Sequence, residues 1–184
     1  MISESPSFHT AIFDALCACV GLNRTSSEAV ALIHEAYAEP ENVPRPPRRR
    51  NVIYWTVLRD PGADPVSTAV NAEQAGTGRH TPVVYTTLKY QLIIVCYGPA
   101  CEEYASRIRS MLFLDGSGFP RRILRDAGIF PVPDPPQPEI LHEEEGSLWR
   151  RRADLTVSLR VREAISGPER GSIQSVPAVV IHRE

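Results

Sequence analysis

The strongest constraint on the fold is the strict alternation of side chains in residues 149–161, WRRRADLTVSLRV. Apart from Arg151, the odd positions are apolar, and the even positions carry polar or charged side chains. Because successive side chains of a strand point to opposite sides of a sheet, this pattern predicts an antiparallel strand with one buried face and one open face. We expect Trp149 to face the core. The arginines on the open face are Arg150, Arg152 and Arg160.

Two earlier segments also have the composition of strands. Residues 51–59, NVIYWTVLR, are rich in the β-branched and aromatic side chains that favour strands. Residues 83–97 alternate and then become apolar on both faces from Leu92 onward, so we expect both faces to be covered there. This strand is predicted to end at Tyr97 and Gly98.

Three segments have the periodicity and end signals of helices. Residues 8–20 place apolar side chains on one stripe and stop before a glycine. A second helix follows Pro99, and its first turn contains Glu102 and Glu103, which suit the positive end of the helix dipole. A short third helix is predicted over residues 120–127.

The remaining segments are predicted to be connections or stay ambiguous. Residues 29–37 fit either a helix or a strand. Residues 60–80 contain prolines and glycines and few large apolar side chains, so we expect a long loop there. Glu143, Glu144 and Glu145 precede a glycine and are predicted to form a solvated turn. The candidates for partner contact in the long loop are Asp60, Asp64, Asn71, Glu73 and Arg79.

These elements predict one α+β domain over residues 1–163, followed by an extended C-terminal tail over residues 164–184. We expect a mainly antiparallel sheet with helices packed on one face. A chain of 184 residues suits one domain with a sizeable core.

Composition and charge limit the function classes. No apolar run approaches the roughly 20 residues of a membrane span, and no export signal opens the chain, so we expect a soluble protein that is used without export. The formal net charge of −2 provides no general attraction to nucleic acid. Without export, the four cysteines are expected to be small buried apolar residues rather than disulfides.

A search for catalytic motifs indicates no enzyme. The sequence has no nucleophile elbow, no phosphate-binding glycine loop, no dinucleotide fingerprint and no paired-histidine metal motif. We therefore expect no catalytic residue, no cofactor and no metal site.

Two arginine clusters remain, one in residues 45–50 and one in residues 150–152. Such clusters contact either nucleic-acid phosphates or the carboxylates of a protein partner. Acidic residues outnumber basic ones in the chain, so a protein interface is the favoured interpretation.

The order of elements, together with four short motifs, resembles the neck-terminator, or tail-terminator, proteins of tailed bacteriophages over residues 8–162. The motifs are Arg45-Pro46-Pro47, Tyr97-Gly98-Pro99-Ala100, Ala127-Gly128-Ile129, and Trp149 with Arg151-Arg152.

This resemblance implies a structural virion protein that forms a six-membered ring. Such a ring caps the tail tube, stops its polymerisation and docks on the head connector, while DNA passes through the lumen without sequence-specific binding. The expected partners are copies of the chain, the tail-tube protein and the connector, with no membrane. The expected location is the virion neck, and the host cytoplasm during assembly. Tyr97, Gly98 and Trp149 would hold the fold together.

Two alternatives to a terminator stay open at this point. One is another connector-layer protein, such as a head-completion adaptor. The other is a nucleic-acid-binding module that uses the arginine clusters.

A closed ring requires two different, complementary patches on each subunit. We expect the arginine face of residues 149–161 to meet acidic residues of a neighbour. We expect the tail to add a strand to a neighbouring sheet edge. The acidic candidates are Glu102, Glu103, Glu143, Glu144 and Glu145, and the tail candidates are Val176, Val179, Val180 and Ile181.

Overall fold

A computed structural model describes residues 8–36, 49–60, 66–74, 79–114, 118–145, 148–166 and 170–171. The chain divides into two compact units, of which the first comprises residues 1–64 and 88–161 and the second comprises residues 65–87 and 162–184.

Along the described residues, two helices precede four strands, and this order then occurs a second time. In order, they are α1 (Phe8–Val20), α2 (Ser27–Leu32), β1 (Ile33–Glu35), β2 (Val52–Arg59), β3 (Val66–Gln74), β4 (Arg79–Tyr97), α3 (Cys101–Phe113), α4 (Phe119–Asp126), β5 (Ile129–Pro131), β6 (Glu139–Glu145), β7 (Leu148–Ser166) and β8 (Arg170–Gly171).

The first unit is built on a mixed sheet. Its strands follow the order β1-β2-β4-β7-β5, and β6 also pairs with β7. Only the β1–β2 pair is parallel among the pairings whose register is described. This sheet with its helices confirms the predicted α+β fold class.

One face of this sheet forms the core with the helices. Across β2 and β4 the register pairs Ile53 with Cys96 and Trp55 with Ile94, and all four side chains are buried. The odd-numbered residues 153–161 of β7 are buried on the same side, and α1, α3 and α4 supply the opposing apolar residues. Each large apolar side chain buried here stabilises the fold by about 1.5–3 kcal/mol.

Helix α1 spans the predicted residues 8–20, and its buried side chains lie on more than one side of the helix. Cys17 and Cys19 are both buried and free, as are Cys96 and Cys101, which confirms the expectation of buried apolar cysteines. Burial raises the pKa of Cys17 to about 11 and those of Cys19 and Cys96 to about 12. These thiols therefore stay protonated and pack as small apolar groups.

The ambiguous segment at residues 29–37 contains both kinds of structure. Ser26 caps α2 by accepting a hydrogen bond from the Ala29 amide, and the chain then becomes extended at Ile33. Residues 33–35 pair in parallel with residues 53–55 of β2. A helix of six residues cannot show a full hydrophobic period, so the sequence pattern could not separate the two halves.

The predicted long loop over residues 60–80 was wrong. Residues 66–74 form β3, which pairs antiparallel with β4 from Val66–Thr87 to Gln74–Arg79, and β4 begins at Arg79 rather than near residue 83. A hairpin of this kind is stabilised by its backbone ladder, which needs no apolar alternation in the sequence. Asn71 and Glu73 therefore lie in β3, and Asp64 lies outside the described residues.

The predicted solvated turn at Glu143–Glu145 was also wrong. These residues belong to β6, which pairs with β7 so that Glu143 lies opposite Arg150. Opposite charges facing each other across two strands stabilise the pairing, and the sequence pattern of a single segment does not show them.

Among the helices of the described residues, none is long and apolar enough to cross a lipid bilayer.

The turn after β4 depends on Gly98, which has φ of +105°. A Cβ at this position would lie 2.6 Å from the Arg50 carbonyl oxygen and 2.6 Å from Asn51 Oδ1, which accepts a hydrogen bond from the Ala100 amide. We predict that Gly98→Ala lowers the free energy of unfolding by about 3 kcal/mol or more, because backbone strain adds to a clash with main-chain atoms.

Gly21→Ala is the matched control for this prediction. Gly21 has φ of +79°, and its added Cβ would meet only the flexible end of Arg107, 2.9 Å away. We expect a cost of about 1–2 kcal/mol from the left-handed backbone alone. Urea denaturation measures both variants, and equal costs would contradict the account of Gly98.

Candidate functional site

A cluster of charged side chains covers the face of the first unit's sheet that points away from the helices. The even-numbered residues Arg150, Arg152 and Asp154 of β7 lie on this face. Residues directly opposite each other in paired strands share a face, so Glu143 of β6 joins them opposite Arg150. Three predicted interface residues, Glu143, Arg150 and Arg152, therefore lie together. With Tyr97 and Asp154 they form what we call the outer-face cluster.

Tyr97 lies at the centre of the outer-face cluster. Its hydroxyl donates a hydrogen bond of 2.9 Å to Glu143 Oε2, and Arg150 Cζ lies 4.3 Å from the ring centroid. On the other side, Tyr54 of β2 meets the ring edge-on with centroids 6.1 Å apart, and His34 of β1 lies 5.7 Å from Tyr54. The stacked side chains thus cross four neighbouring strands.

Trp149 and Arg150 exchange the environments that the sequence pattern predicted. The Trp149 side chain is 67% exposed, whereas Arg150 is 7% exposed. The guanidinium is planar and weakly hydrated, so it packs over the Tyr97 ring at a lower desolvation cost than another cation. Trp149 is therefore not a core residue, and Arg150 is not an exposed interface residue.

Arg152 joins two carboxylates of the outer-face cluster. Its Nη2 lies 2.9 Å from Asp154 Oδ2, and its Nη1 lies 3.4 Å from Glu143 Oε2. Burial lowers the pKa of Arg152, but the charge of Asp154 and the contacts with Tyr97 and Glu143 outweigh that effect and raise it. The cluster is consequently held by contacts within the chain, which fix β6 against β7.

Two other pKa values in the cluster shift because the groups are partly desolvated. Burial raises the pKa of the Asp154 carboxyl, and Arg152 opposes this shift while Glu139 and Glu143 add to it. Burial, the hydrogen bond to Glu143 and the charge of Glu143 raise the pKa of the Tyr97 hydroxyl. Ionisation of Asp154 therefore lowers the free energy of unfolding relative to the protonated form.

The opposite side of β7 carries a separate ion pair. Arg151, the predicted exception in the apolar row, pairs through Nη2 with Glu102 Oε2 in the first turn of α3. Glu144 lies directly opposite Trp149 and is exposed, as is Glu103. Arg151 thus belongs to an exposed edge beside the helix rather than to the core.

An arginine-rich surface on α4 and β5 was not predicted from the sequence. Arg121, Arg122 and Arg125 line a cleft of about 250 Å³ together with Phe130 of β5. Phe119 is 57% exposed and Phe130 is 41% exposed, and Arg122 Cζ lies 5.2 Å from the Phe119 ring centroid. The basic run was visible in the sequence, but the exposure of both phenylalanines depends on how α4 meets β5.

A shallow cleft of about 660 Å³ lies between α1 and β1. His9 Nδ1 contacts Glu35 Oε1 there, and Arg24 Nη1 lies 2.7 Å from Asp14 Oδ2. These contacts join α1 to the segments that follow it. In the part of the chain that the structure describes, no three His, Cys, Asp or Glu side chains are grouped to hold a metal ion.

Several predicted site residues are not brought into the outer-face cluster. Arg160 lies further along β7, opposite Phe130, and Asp60 directly follows β2. Arg79 is the first residue of β4. The side chain of Glu145 and the tail candidates Val176, Val179, Val180 and Ile181 lie outside what the structure describes.

Comparison with known proteins identifies one family. The model of the family described as "Phage neck terminator protein" matches residues 10–183, which is nearly the whole chain. No curated protein matches the chain significantly.

The raised pKa of Asp154 leads to a pH prediction. Between the ordinary value of 3.8 and the higher folded-state pKa, the folded protein binds more protons at this carboxyl than the unfolded chain. This group therefore makes the fold less stable as the pH rises through that window. We predict that Asp154→Asn gains stability relative to the wild type as the pH is raised from about 3 to about 7.

Urea denaturation over this pH series measures the difference. Asp126→Asn, at the exposed end of α4, controls for the removal of one negative charge. The assignment would be contradicted if the difference in unfolding free energy between Asp154→Asn and the wild type stays constant with pH. It would also be contradicted if the variant loses stability relative to the wild type as the pH rises.

Tyr97 provides a second prediction, which separates its hydroxyl from its ring. Tyr97→Phe removes the hydroxyl, with its hydrogen bond to Glu143 and its contact with Arg152, and we expect it to cost about 1 kcal/mol of stability. Tyr97→Leu also removes the ring beneath Arg150, so it should cost at least about 0.5–1 kcal/mol more. Equal unfolding free energies for the two variants would show that the ring contributes nothing.

Proposed function

Because the chain belongs to the phage neck terminator protein family, we propose that it assembles as a ring in the virion neck, caps the tail tube and joins the tail to the head connector. The match over residues 10–183 is the observation that carries this proposal, since it includes both compact units and not only one motif. We further propose that the ring has six subunits and lets DNA pass through its lumen.

The role needs surfaces rather than chemistry. A protein that closes a tube and presents a docking layer must bind a copy of itself on two sides and different partners above and below. The first unit carries exposed aromatic and charged side chains of the kind that are enriched at protein interfaces. We therefore propose a structural role without enzymatic activity.

The internal pairing of the β7 arginines weighs against a nucleic-acid-binding module. Arg150 is buried against Tyr97, and Arg151 and Arg152 contact carboxylates of the same chain. Nucleic-acid phosphates would have to compete with these contacts. The proposal therefore assigns this arginine cluster to the stability of the subunit.

Three expectations stay predictions within this proposal. The first is the partner contact of the β3–β4 hairpin, the second is strand addition by the tail, and the third is the division of the chain at residue 163. A connector-layer adaptor is the alternative role for the same family match, and the experiment below distinguishes the two.

Negative-stain electron microscopy of the purified protein, alone and mixed with tail tubes of its phage, tests the proposal. We predict six-fold rings, or caps on one end of the tubes, and an arrest of tube growth when the protein is added. Protein that binds isolated head connectors but ignores tail tubes would identify an adaptor. Protein that remains monomeric and binds neither structure would contradict the proposal.

A further inference from the structure

We propose that neighbouring subunits are joined by two different surfaces of the first unit. We call them the arginine surface, which consists of Phe119, Arg121, Arg122, Arg125, Phe130 and Arg160, and the tryptophan surface, which consists of Trp149, Glu144, Glu102 and Glu103. The inference rests on the proposed ring and specifies which surfaces close it.

The arginine surface combines exposed aromatic rings with planar cations. Phe119 begins α4, and Arg122 lies against its ring. Phe130 lies opposite Arg160 in the β5–β7 register, so both side chains point to the same side. Arg125 Nε lies 3.9 Å from Asp126 Oδ1, and both side chains are mostly exposed, so this pair holds the arginine only weakly.

The tryptophan surface has the opposite charge and its own exposed ring. Trp149 lies directly across from Glu144, and Arg151 on the same side of β7 pairs with Glu102 of α3. Glu103 follows on the exposed part of the same helical turn. With Arg151 counted against the three glutamates, this surface keeps a net negative charge.

The two surfaces cannot meet within one subunit. Trp149 lies at one end of the part of β7 that belongs to the first unit, and Arg160 lies near its other end. At about 3.3 Å per residue, the eleven steps between them span roughly 35 Å. A contact between the two surfaces therefore requires a second molecule.

A second copy fits this pair of surfaces better than DNA does. Aromatic residues and arginine dominate the binding energy of protein interfaces, and both surfaces contain them. DNA phosphates would be attracted to the arginines but would leave Phe119, Phe130 and Trp149 in water. Two different surfaces that bind each other give the head-to-tail contact from which rings close.

Paired charge reversals test the inference. The variant that combines Arg121→Glu, Arg122→Glu and Arg125→Glu makes both surfaces acidic, and the variant Glu103→Arg with Glu144→Arg makes both basic. We expect each variant alone to self-associate at least about tenfold more weakly than the wild type. Mixed in equal amounts, the two variants present opposite charges at every contact, so ring formation should return.

Arg59→Glu with Lys89→Glu is the matched control, because it reverses two exposed charges at the end of β2 and on the neighbouring part of β4, outside both surfaces. It should leave ring formation unchanged. Trp149→Ser should weaken self-association without lowering thermal stability, since its side chain is mostly exposed in the subunit. Analytical ultracentrifugation measures association, and thermal melting establishes that each variant is folded.

The outcomes separate this inference from the proposed function. Rings that persist in both charge variants, or that fail to return on mixing, would overturn the inference while the proposed function stands. A wild-type protein that forms no ring, alone or on tail tubes, would contradict both. Rings that persist while the variant with Arg121→Glu, Arg122→Glu and Arg125→Glu loses salt-dependent DNA binding would assign the arginine surface to nucleic acid and overturn the inference.

Discussion

Burial of the odd-numbered side chains of β7 is the constraint on which the rest of the first unit depends. The odd-numbered residues 153–161 point inward and pack against α1, α3 and α4. Strand β4 pairs along one edge of β7, and β5 and β6 pair along the other. A shift of one residue in this register would turn the apolar row outward and bury charged side chains. The inward row thus determines which side chains remain for the opposite face.

The charged side chains on the opposite face contact partners within the same subunit. Arg152 lies between Asp154 and Glu143, and Arg150 is covered by its contact with Tyr97. Partly buried charges of this kind are favourable only when their partners are close. The cluster therefore stabilises one arrangement of β6 against β7. The proposed contacts between subunits therefore lie near the two ends of the part of β7 that belongs to the first unit, and not along its middle.

Elements with a full period could be predicted from the sequence, and elements specified by partners could not. Residues 8–20 and 149–161 were predicted to form a helix and a strand because their apolar periods extend over several turns or repeats, and both elements were confirmed. The hairpin strand at residues 66–74 and the strand that contains Glu143 have few large apolar side chains, and their pairing with β4 and β7 identifies them as strands. The predicted environments of Trp149 and Arg150 were wrong for a related reason. A cation over an aromatic ring can replace an apolar residue at the end of a strand.

A cryo-electron microscopy map of the assembled oligomer, alone or on its tail tube, tests the central claim most directly. The account predicts a closed ring in which Trp149 of each subunit lies in van der Waals contact with Phe119, Phe130 or Arg122 of the next. It also predicts that the outer-face cluster keeps its contacts within each subunit. A ring in which Trp149 and the α4 arginines both face solvent, or an oligomer joined through two copies of the same surface, would contradict it.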